Sequence, residues 1–198
     1  MSSLLFSASI TLLLLSILPL STPEELLDTD GDPIYNGGQY YITSLNIYGS
    51  KGPITLQKTD DYCPYYITAD KTENSRGIPV RINSPYRTQF ISFDQPVSMA
   101  FTGRMPCHYS PVWGRTFDRY SRREYITIDG SNRYRPFIIS KNDESDSYGI
   151  KVVSPDGNII SNVGFFEDNG LLGLTENSTA VTFKKAFYYA NNPQLSTS

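Results

Sequence analysis

One arginine near the middle of the chain has the chemistry of a recognition residue. Arg87 lies in the polar segment 83–90, Asn-Ser-Pro-Tyr-Arg-Thr-Gln-Phe, between two short runs of apolar and β-branched residues. Because a guanidinium is permanently charged and presents a rigid fork of donors, an arginine held on an exposed loop can reach the buried aspartate of a trypsin-like specificity pocket. An arginine between two strands is more often a solvated surface residue. The rest of the chain must decide between these two interpretations.

The residues that usually carry catalysis or bind metal are scarce. His108 is the only histidine, directly after Cys107, and neither a Gly-x-Ser-x-Gly elbow nor a glycine-rich phosphate loop is present. With one histidine, a zinc site would need carboxylates, and no spacing suggests such a site. The aspartates at 28, 30 and 32 do not open an EF-hand, because that loop needs glycine and glutamate where the chain has Pro33 and Gln39. The sequence predicts a binding protein without cofactor or metal rather than an enzyme.

The beginning of the chain and its two cysteines indicate an oxidising compartment. Residues 1–23 carry no charged side chain and contain an apolar stretch from Ile10 to Leu20, which predicts a secretory signal peptide cleaved between Pro19 and Glu25. In the secretory pathway Cys63 and Cys107 are expected to form a disulfide, which would close a loop containing Arg87. Such a loop contributes about 4 kcal/mol in the chain-entropy account. The mature protein is therefore predicted to be secreted or vacuolar.

Composition and pattern favour one domain, residues 24–198, made of many short strands. Aromatic residues make up 13% of the chain, and 14 Gly and 13 Pro supply turn signals without any sustained helical periodicity. About a dozen β-type runs are predicted, at 39–43, 54–57, 65–68, 79–82, 90–93, 97–101, 125–128, 137–139, 148–153, 163–166, 171–174 and 180–183. Close spacing of this many strands is typical of a barrel or a sandwich. A division into three parts of four strands is compatible with this pattern, but the residue-level repeat is faint.

Two local features stand apart from the strand pattern. The formal net charge of −3 argues against general nucleic-acid binding, yet seven arginines crowd one short segment: Arg104, Arg115, Arg119, Arg122, Arg123, Arg133 and Arg135. Solvated loops are the simpler interpretation of this region, and a second contact surface is the alternative. The other feature is the sequence Asn177-Ser178-Thr179, the only N-glycosylation sequon.

Several segments together resemble one known family. They are residues 27–33 (Leu-Asp-Thr-Asp-Gly-Asp-Pro), 36–42 (Asn-Gly-Gly-Gln-Tyr-Tyr-Ile), Cys63-Pro64, residues 84–87 (Ser-Pro-Tyr-Arg), Cys107 with Trp113, and 163–166 (Val-Gly-Phe-Phe). In this order and at these spacings the chain resembles the plant Kunitz-type, soybean trypsin inhibitor-like family over essentially the whole predicted mature sequence. The resemblance implies a β-trefoil of about twelve short strands.

The resemblance also implies roles for particular residues. Arg87 matches the reactive-site residue (P1) and Thr88 the residue after the scissile bond, within a reactive loop that comprises Ser84, Pro85, Tyr86, Arg87, Thr88, Gln89 and Phe90. Asn36 matches the asparagine that braces this loop, and Cys63 and Cys107 match the family's first disulfide. Two departures are clear: the second disulfide common in the family is missing around residues 154–158, and the arginine-rich segment differs from the usual pattern.

These observations lead to one functional hypothesis and two alternatives. The chain is predicted to be a monomeric inhibitor of trypsin-like serine proteases that acts through Arg87, in plant defence or in endogenous regulation, and without nucleic-acid or membrane partners. Pro85 restricts the segment before Arg87, so the loop loses less entropy on binding. The first alternative is a non-inhibitory seed storage or partner-binding member. The second is an inhibitor of another hydrolase, acting through the region from Arg104 to Arg135.

Overall fold

The described part of the chain is built from β-strands. The computed structural model describes residues 24–45, 51–58, 65–72, 74–103, 110–128, 136–142 and 146–186. Within these ranges there is no helix, so none that could cross a membrane, and the all-β prediction is confirmed. The twelve strands are β1 (Gln39–Ser44), β2 (Gly52–Gln57), β3 (Tyr65–Ala69), β4 (Val80–Asn83), β5 (Ser98–Phe101), β6 (Trp113–Asp118), β7 (Arg123–Ile128), β8 (Phe137–Lys141), β9 (Tyr148–Val153), β10 (Ile159–Phe165), β11 (Leu172–Thr175) and β12 (Val181–Lys185).

Six of these strands close into a barrel. Antiparallel pairs join β1 to β4, β4 to β5, β8 to β9, β9 to β12 and β12 back to β1. The remaining gap is closed just before β5, where Val97 and Phe137 exchange two backbone hydrogen bonds of 2.8 Å. The barrel therefore has no open edge, which protects it from pairing with other strands.

The other six strands form three hairpins that cap one end of the barrel. The hairpins are β2–β3, β6–β7 and β10–β11. The second strands of these hairpins meet one another, through the pairs Tyr65–Ile128 and Gly173–Tyr125 and the bridge Thr68–Leu171. Since the same pattern recurs every fourth strand, the molecule has threefold pseudosymmetry. The fold is a β-trefoil, as the resemblance implied.

Strand β1 shows which loops lie at which end of the barrel. Just before β1, Gly37 donates to the carbonyl oxygen of Ile82 near the end of β4 (2.7 Å). The last residues of β1, Thr43 and Ser44, pair instead with β2 of the cap. The loop that connects β4 to β5 therefore lies at the end of the barrel opposite the cap.

The core fills the space between barrel and cap with aromatic and β-branched side chains. Tyr40, Phe101, Phe137 and Phe183 are among its largest fully buried members. Trp113 is buried at the start of β6, with its ring centroid 5.5 Å from that of Phe101 and 6.0 Å from that of Phe137. The only tryptophan is thus a packing residue that joins a cap hairpin to the barrel.

The prediction of a strand at residues 90–93 is wrong. This segment forms only single bridges, Phe90 with Tyr35 and Ser92 with Glu25. Between them the buried Ile91 donates to the carbonyl oxygen of Ile34 (2.8 Å) and accepts from the amide of Leu26 (2.9 Å). The apolar run reflects burial against the segment before β1, whose bends prevent a continuous ladder.

Among the four described arginines of the arginine-rich region, the interpretation as solvated loops holds for Arg119 and Arg122 and is wrong for Arg115 and Arg123, which lie on strands. Strand β6, which was not predicted, pairs with β7 over six residue pairs from Trp113–Ile128 to Asp118–Arg123. Arg115 is 5% exposed and forms an ion pair with Glu124 (2.7 Å). The turn residues Arg119 and Arg122 are exposed. Arg104, Arg133 and Arg135 lie outside the described residues.

Candidate functional site

The predicted reactive residues lie together on one exposed loop. Ser84–Phe90 follow β4 directly, and the side chains from Pro85 to Gln89 are exposed, with Tyr86 at 54%. Arg87 is among these exposed residues, whereas Phe90 is half-buried. The loop therefore exposes its central arginine to solvent while its C-terminal end packs on the body of the protein.

The side chain of Asn36 holds the loop on both sides of Arg87. Its amide nitrogen donates to the carbonyl oxygens of Tyr86 (3.0 Å) and Thr88 (3.1 Å), with a longer contact to that of Ser84 (3.5 Å). Its carbonyl oxygen accepts from the amide of Ser84 (2.9 Å). An asparagine suits this position because one planar group supplies two donor hydrogens and an acceptor. The contacts join residues that are 48 to 52 positions apart in the sequence.

Backbone and ring contacts extend the same support toward the C-terminal end of the loop. The amide of Asn36 donates to the carbonyl oxygen of Gln89 (2.9 Å). Tyr35 pairs with Phe90, and their rings meet edge to face with centroids 4.9 Å apart. The role of Tyr35 was not predicted from the sequence, and its position beside Asn36 is the only local signal for it.

The turn Asn36-Gly37-Gly38 places Asn36 beneath the loop. Gly37 has φ +82°, a backbone conformation that favours glycine. A Cβ atom on Gly38 would lie 2.7 Å from the ring of Tyr40 and 2.9 Å from the carbonyl oxygen of Tyr35. The hydroxyl of Tyr40 accepts from the amide of Tyr35 (2.8 Å), and burial raises the pKa of this phenol. Close packing of glycine on a buried tyrosine therefore fixes the turn.

Replacing Gly38 with alanine is expected to destabilise the protein by about 1–3 kcal/mol, because the added methyl group must displace Tyr40 or the Tyr35 carbonyl. Chemical denaturation of both proteins measures this difference in the free energy of unfolding. Gly157→Ala tests a glycine with φ +86° and open space around its Cβ, and should cost about 1 kcal/mol from backbone strain alone. Equal losses for the two variants would contradict the packing role of Gly38.

Of the other sequence features, the aspartate-rich segment is a turn, and the predicted signal peptide, the two cysteines and the histidine lie outside the described residues. Asp28 accepts from the amides of Asp30 (2.9 Å) and Asp32 (3.0 Å), so the aspartate-rich segment is a hydrogen-bonded turn. No group of three metal-ligating side chains occurs among the described residues. The predicted signal peptide, residues 1–23, and the cysteines Cys63 and Cys107 with their neighbour His108 lie outside those residues.

Two ion pairs use arginines and acidic residues of the cap. Arg123 on β7 binds both carboxylate oxygens of Asp168 (2.8 and 2.7 Å), which lies in the β10–β11 turn, and its guanidinium lies 4.5 Å from the ring centroid of Phe166. The hydrogen bond from Arg123 lowers the pKa of Asp168. Together with the pair of Arg115 and Glu124, these contacts give two of the clustered arginines a structural role.

The pair of Arg123 and Asp168 predicts a pH-dependent contribution to stability. Because the pKa of Asp168 is lower in the folded protein than its ordinary value, the contribution is present above that ordinary value and is lost as the pH falls through the folded-state pKa. We expect the melting temperature of Asp168→Asn to lie below that of the wild type at neutral pH, and the difference to shrink in acid. Melting curves across this range test the prediction, and a difference that grows in acid would contradict it.

Sequence comparison with known proteins finds the family that the sequence motifs resemble. The Kunitz_legume family, described as "Trypsin and protease inhibitor", matches residues 26–185. Trypsin inhibitor 1B of Erythrina variegata is 29% identical over 173 residues, covering 81% of this chain and 98% of that protein. A trypsin inhibitor of Leucaena leucocephala is 40% identical over 86 residues, covering 42% of this chain and 47% of its own length.

Solved structures agree with the sequence comparison. A Kunitz type trypsin inhibitor from Cicer arietinum superposes with a TM-score of 0.73 at 29% identity, over 83% of this chain and 99% of that one. The complex of porcine pancreatic trypsin with soybean trypsin inhibitor (TM-score 0.68, 24% identity, 83% and 100% coverage) shares the fold. So does a water-soluble chlorophyll protein from Brassica oleracea with chlorophyll b (TM-score 0.67, 20% identity, 83% and 99% coverage).

Proposed function

The chain belongs to the plant Kunitz-type family of trypsin and protease inhibitors, and we propose that it inhibits a trypsin-like serine protease by presenting Arg87 in a substrate-like pose. The observation that carries this proposal is the position of Asn36, whose amide binds the carbonyl oxygens of Tyr86 and Thr88 on either side of the exposed Arg87. A loop fixed at both neighbours of one exposed side chain is already ordered before it binds, so association costs less entropy.

Arginine is the side chain best suited to a trypsin-like pocket. Its guanidinium pairs with a buried carboxylate through two parallel hydrogen bonds, and its long aliphatic stem fills the narrow part of the pocket. Arg87 is exposed and central in the loop. It can therefore act as a hot spot that supplies most of the binding free energy.

The same support explains how a substrate-like loop inhibits rather than being consumed. The protease serine attacks the carbonyl carbon of Arg87, and the bond to the nitrogen of Thr88 breaks to give an acyl-enzyme and a free Thr88 amine. Asn36 holds Tyr86 on the acyl side and Thr88 on the amine side. The amine stays beside the acyl carbon, so it can attack that carbon, restore the peptide bond and release the serine before water hydrolyses the acyl-enzyme.

The oligomeric state, the partners and the location of the inhibitor follow from the same proposal. We infer that it is a monomer without enzymatic activity of its own, that it binds neither nucleic acid nor membranes, and that it acts outside the cell or in the vacuole. The net charge of −3 supports the absence of nucleic-acid binding. The disulfide between Cys63 and Cys107 remains part of this proposal, because it would enclose the inhibitory loop.

Titration of the purified mature protein against bovine trypsin tests the proposal, with chymotrypsin and subtilisin measured alongside. Stoichiometric loss of trypsin activity is expected. A folded, disulfide-bonded protein that leaves trypsin fully active would refute the proposal and favour a non-inhibitory storage or partner-binding role. The chlorophyll protein that shares the fold is a reason to keep this alternative, since a fold does not fix a function.

The second alternative places hydrolase binding on the β6–β7 hairpin, where Arg119 and Arg122 are exposed. The double variant Arg119→Glu with Arg122→Glu separates it from the main proposal, and it leaves the ion pair of Arg123 and Asp168 intact. If the hairpin binds the hydrolase, this variant loses inhibition and Arg87→Ala keeps it. If Arg87 enters the protease pocket, the two variants behave in the opposite way.

A further inference from the structure

We propose that the Asn36-Gly37 pair is a deamidation site, and that its hydrogen bonds to the reactive loop keep it unreactive. Asparagine followed by glycine is the pair most prone to lose the side-chain amide, because glycine has no Cβ to keep the next backbone nitrogen away from the carboxamide. The sequence contains two such pairs, Asn36-Gly37 and Asn169-Gly170. The first of them supports the loop that carries Arg87, so this loop depends on a chemically labile residue.

The reaction forms one bond and breaks one, without any redox step. The backbone nitrogen of Gly37 loses its proton to a base and attacks the side-chain carbon Cγ of Asn36. The bond from Cγ to Nδ2 then breaks, ammonia leaves, and a five-membered succinimide ring closes. Water opens this ring at either carbonyl, which leaves aspartate or isoaspartate at position 36. The attack needs a free Gly37 nitrogen and a carboxamide that can turn toward it.

The attacking nitrogen is held in the same way in both pairs. The amide of Gly37 donates to the carbonyl oxygen of Ile82 (2.7 Å), and the amide of Gly170 donates to that of Phe166 (2.7 Å). Both glycines have a positive φ, +82° at Gly37 and +70° at Gly170. The two pairs therefore differ mainly in the groups that bind the asparagine side chain.

The carboxamide of Asn36 is held by the reactive loop. Its oxygen accepts from the amide of Ser84 (2.9 Å), and its nitrogen donates to the carbonyl oxygens of Tyr86 (3.0 Å) and Thr88 (3.1 Å). Turning the carboxamide toward Gly37 would break these bonds and leave the backbone groups of the loop without their partner. The intact loop therefore opposes the step that begins deamidation.

The second pair is a control for this effect within the same chain. Asn169 lies in the β10–β11 turn of the cap, and its side chain is exposed. Its carboxamide accepts from the amide of Leu171 (3.0 Å) and donates to the hydroxyl of Tyr125 (3.1 Å). Neither contact involves the reactive loop, which lies at the opposite end of the barrel. A change in the loop should therefore alter the reactivity of Asn36 alone.

Deamidation would end the support of the loop. Aspartate at position 36 would face the carbonyl oxygens of Tyr86 and Thr88 with an oxygen in place of a donor, and isoaspartate would also lengthen the backbone by one carbon. The consequence for inhibition rests on the proposed function. Once trypsin cuts the chain between Arg87 and Thr88, the two ends can move apart and free the Asn36 carboxamide. A cut inhibitor that is not resealed would then lose Asn36 irreversibly.

Deamidation rates at the two pairs test the proposal without any protease. The purified protein is kept at mildly alkaline pH, folded and in urea, and peptide mass spectrometry follows the gain of one dalton at each pair. In urea the two pairs should react at similar rates. Folding should slow the reaction of Asn36 at least about tenfold, since several hydrogen bonds must break first. A reaction at Asn36 that is as fast in the folded protein as in urea would overturn the proposal.

Two variants separate protection by the loop from overall stability. Ser84→Pro removes the amide that binds the oxygen of Asn36, and Pro85→Gly loosens the loop without changing a contact atom. Ser84→Pro should speed deamidation of Asn36 about fivefold, the effect of one lost hydrogen bond. Pro85→Gly should speed it by a smaller factor, and it decides the matter if Ser84→Pro does not fold. In a variant with the circular dichroism spectrum of the wild type, an unchanged rate at Asn36, or equal acceleration at Asn36 and Asn169, would overturn the proposal.

Trypsin-cut protein tests the consequence for inhibition. The chain cut between Arg87 and Thr88 is isolated and aged at the same pH beside the intact protein. Asn36 should deamidate faster in the cut form, and inhibition by this form should fall in proportion to its deamidated fraction. Equal rates in the two forms would overturn this consequence. If the fresh protein leaves trypsin active, the proposed function fails, and the rates in the loop variants still decide whether the loop protects Asn36.

Discussion

Replacing Arg87 with alanine is expected to weaken trypsin binding by at least several kcal/mol, which is about a thousandfold or more in Kd. The loss follows from removing the only side chain of the loop that can pair with the carboxylate at the base of the specificity pocket. The fold should be unaffected, because Arg87 is exposed on the loop between β4 and β5. Equilibrium inhibition constants of the two proteins against trypsin measure the effect.

Two control variants make this result specific to the position of Arg87. Arg87→Lys keeps the positive charge but not the planar fork, so it should retain part of the affinity. Arg81→Ala removes another exposed arginine, on β4, only six positions earlier in the chain, and it should change the inhibition constant little. Inhibition by Arg87→Ala that is nearly as strong as that of the wild type would show that another surface binds the protease.

Replacing Asn36 with alanine is expected to turn a lasting inhibitor into one that trypsin slowly consumes. The variant loses the side-chain hydrogen bonds to Ser84, Tyr86 and Thr88. At about 0.5–1.5 kcal/mol each, three such bonds stabilise the ordered loop by about 1.5–4.5 kcal/mol. Arg87 is still present, so trypsin should be inhibited at first. Cleavage after Arg87 should then release a product whose ends separate, and trypsin activity should return.

A time course separates this effect from a simple loss of affinity. Residual trypsin activity and the fraction of chain cut between Arg87 and Thr88 are followed together over hours, at a fixed excess of inhibitor. Asn36→Asp keeps the acceptor for the Ser84 amide but faces the Tyr86 and Thr88 carbonyls with a second oxygen, so it should fail as Asn36→Ala does. Asn162→Ala removes a side-chain amide in the cap and should behave as the wild type. If Asn36→Ala stays intact and fully inhibitory, Asn36 does not brace the loop.

Eleven of the twelve predicted strands lie where the structure has strands, because their signal is local. Alternating apolar and polar residues between turns specify a strand regardless of its partner, as in β1, whose residues alternate between half-buried and buried. The turn at Asn36-Gly37-Gly38 was recognisable for the same reason, since Gly37 meets a local backbone requirement. The positions of Arg87 and Asn36 were identified by their resemblance to a family pattern, which carries information that periodicity does not.

The errors occurred where pairing with distant residues overrides the local pattern. β6 begins Trp-Gly-Arg and lacks an alternating pattern, yet it pairs with β7 along its whole length, and Arg115 is buried beside Glu124 of that strand. The run at 90–93 has the apolar pattern of a strand but meets its partners one residue at a time. In both places the partner, rather than the segment itself, decides the conformation.

The sequence by itself therefore determined the all-β class, most strand positions and the exposed arginine that could enter a protease. The family resemblance named Asn36 as the support of that arginine, and only the tertiary structure decided which atoms of the loop Asn36 binds. Asn36 reaches the carbonyl oxygens of Tyr86 and Thr88 across 50 and 52 positions of the chain, and it does so because β1 and β4 pair side by side. Hydrogen bonds between residues so far apart depend on strand register, and register is set by how the whole barrel closes rather than by the residues near either end of the bond.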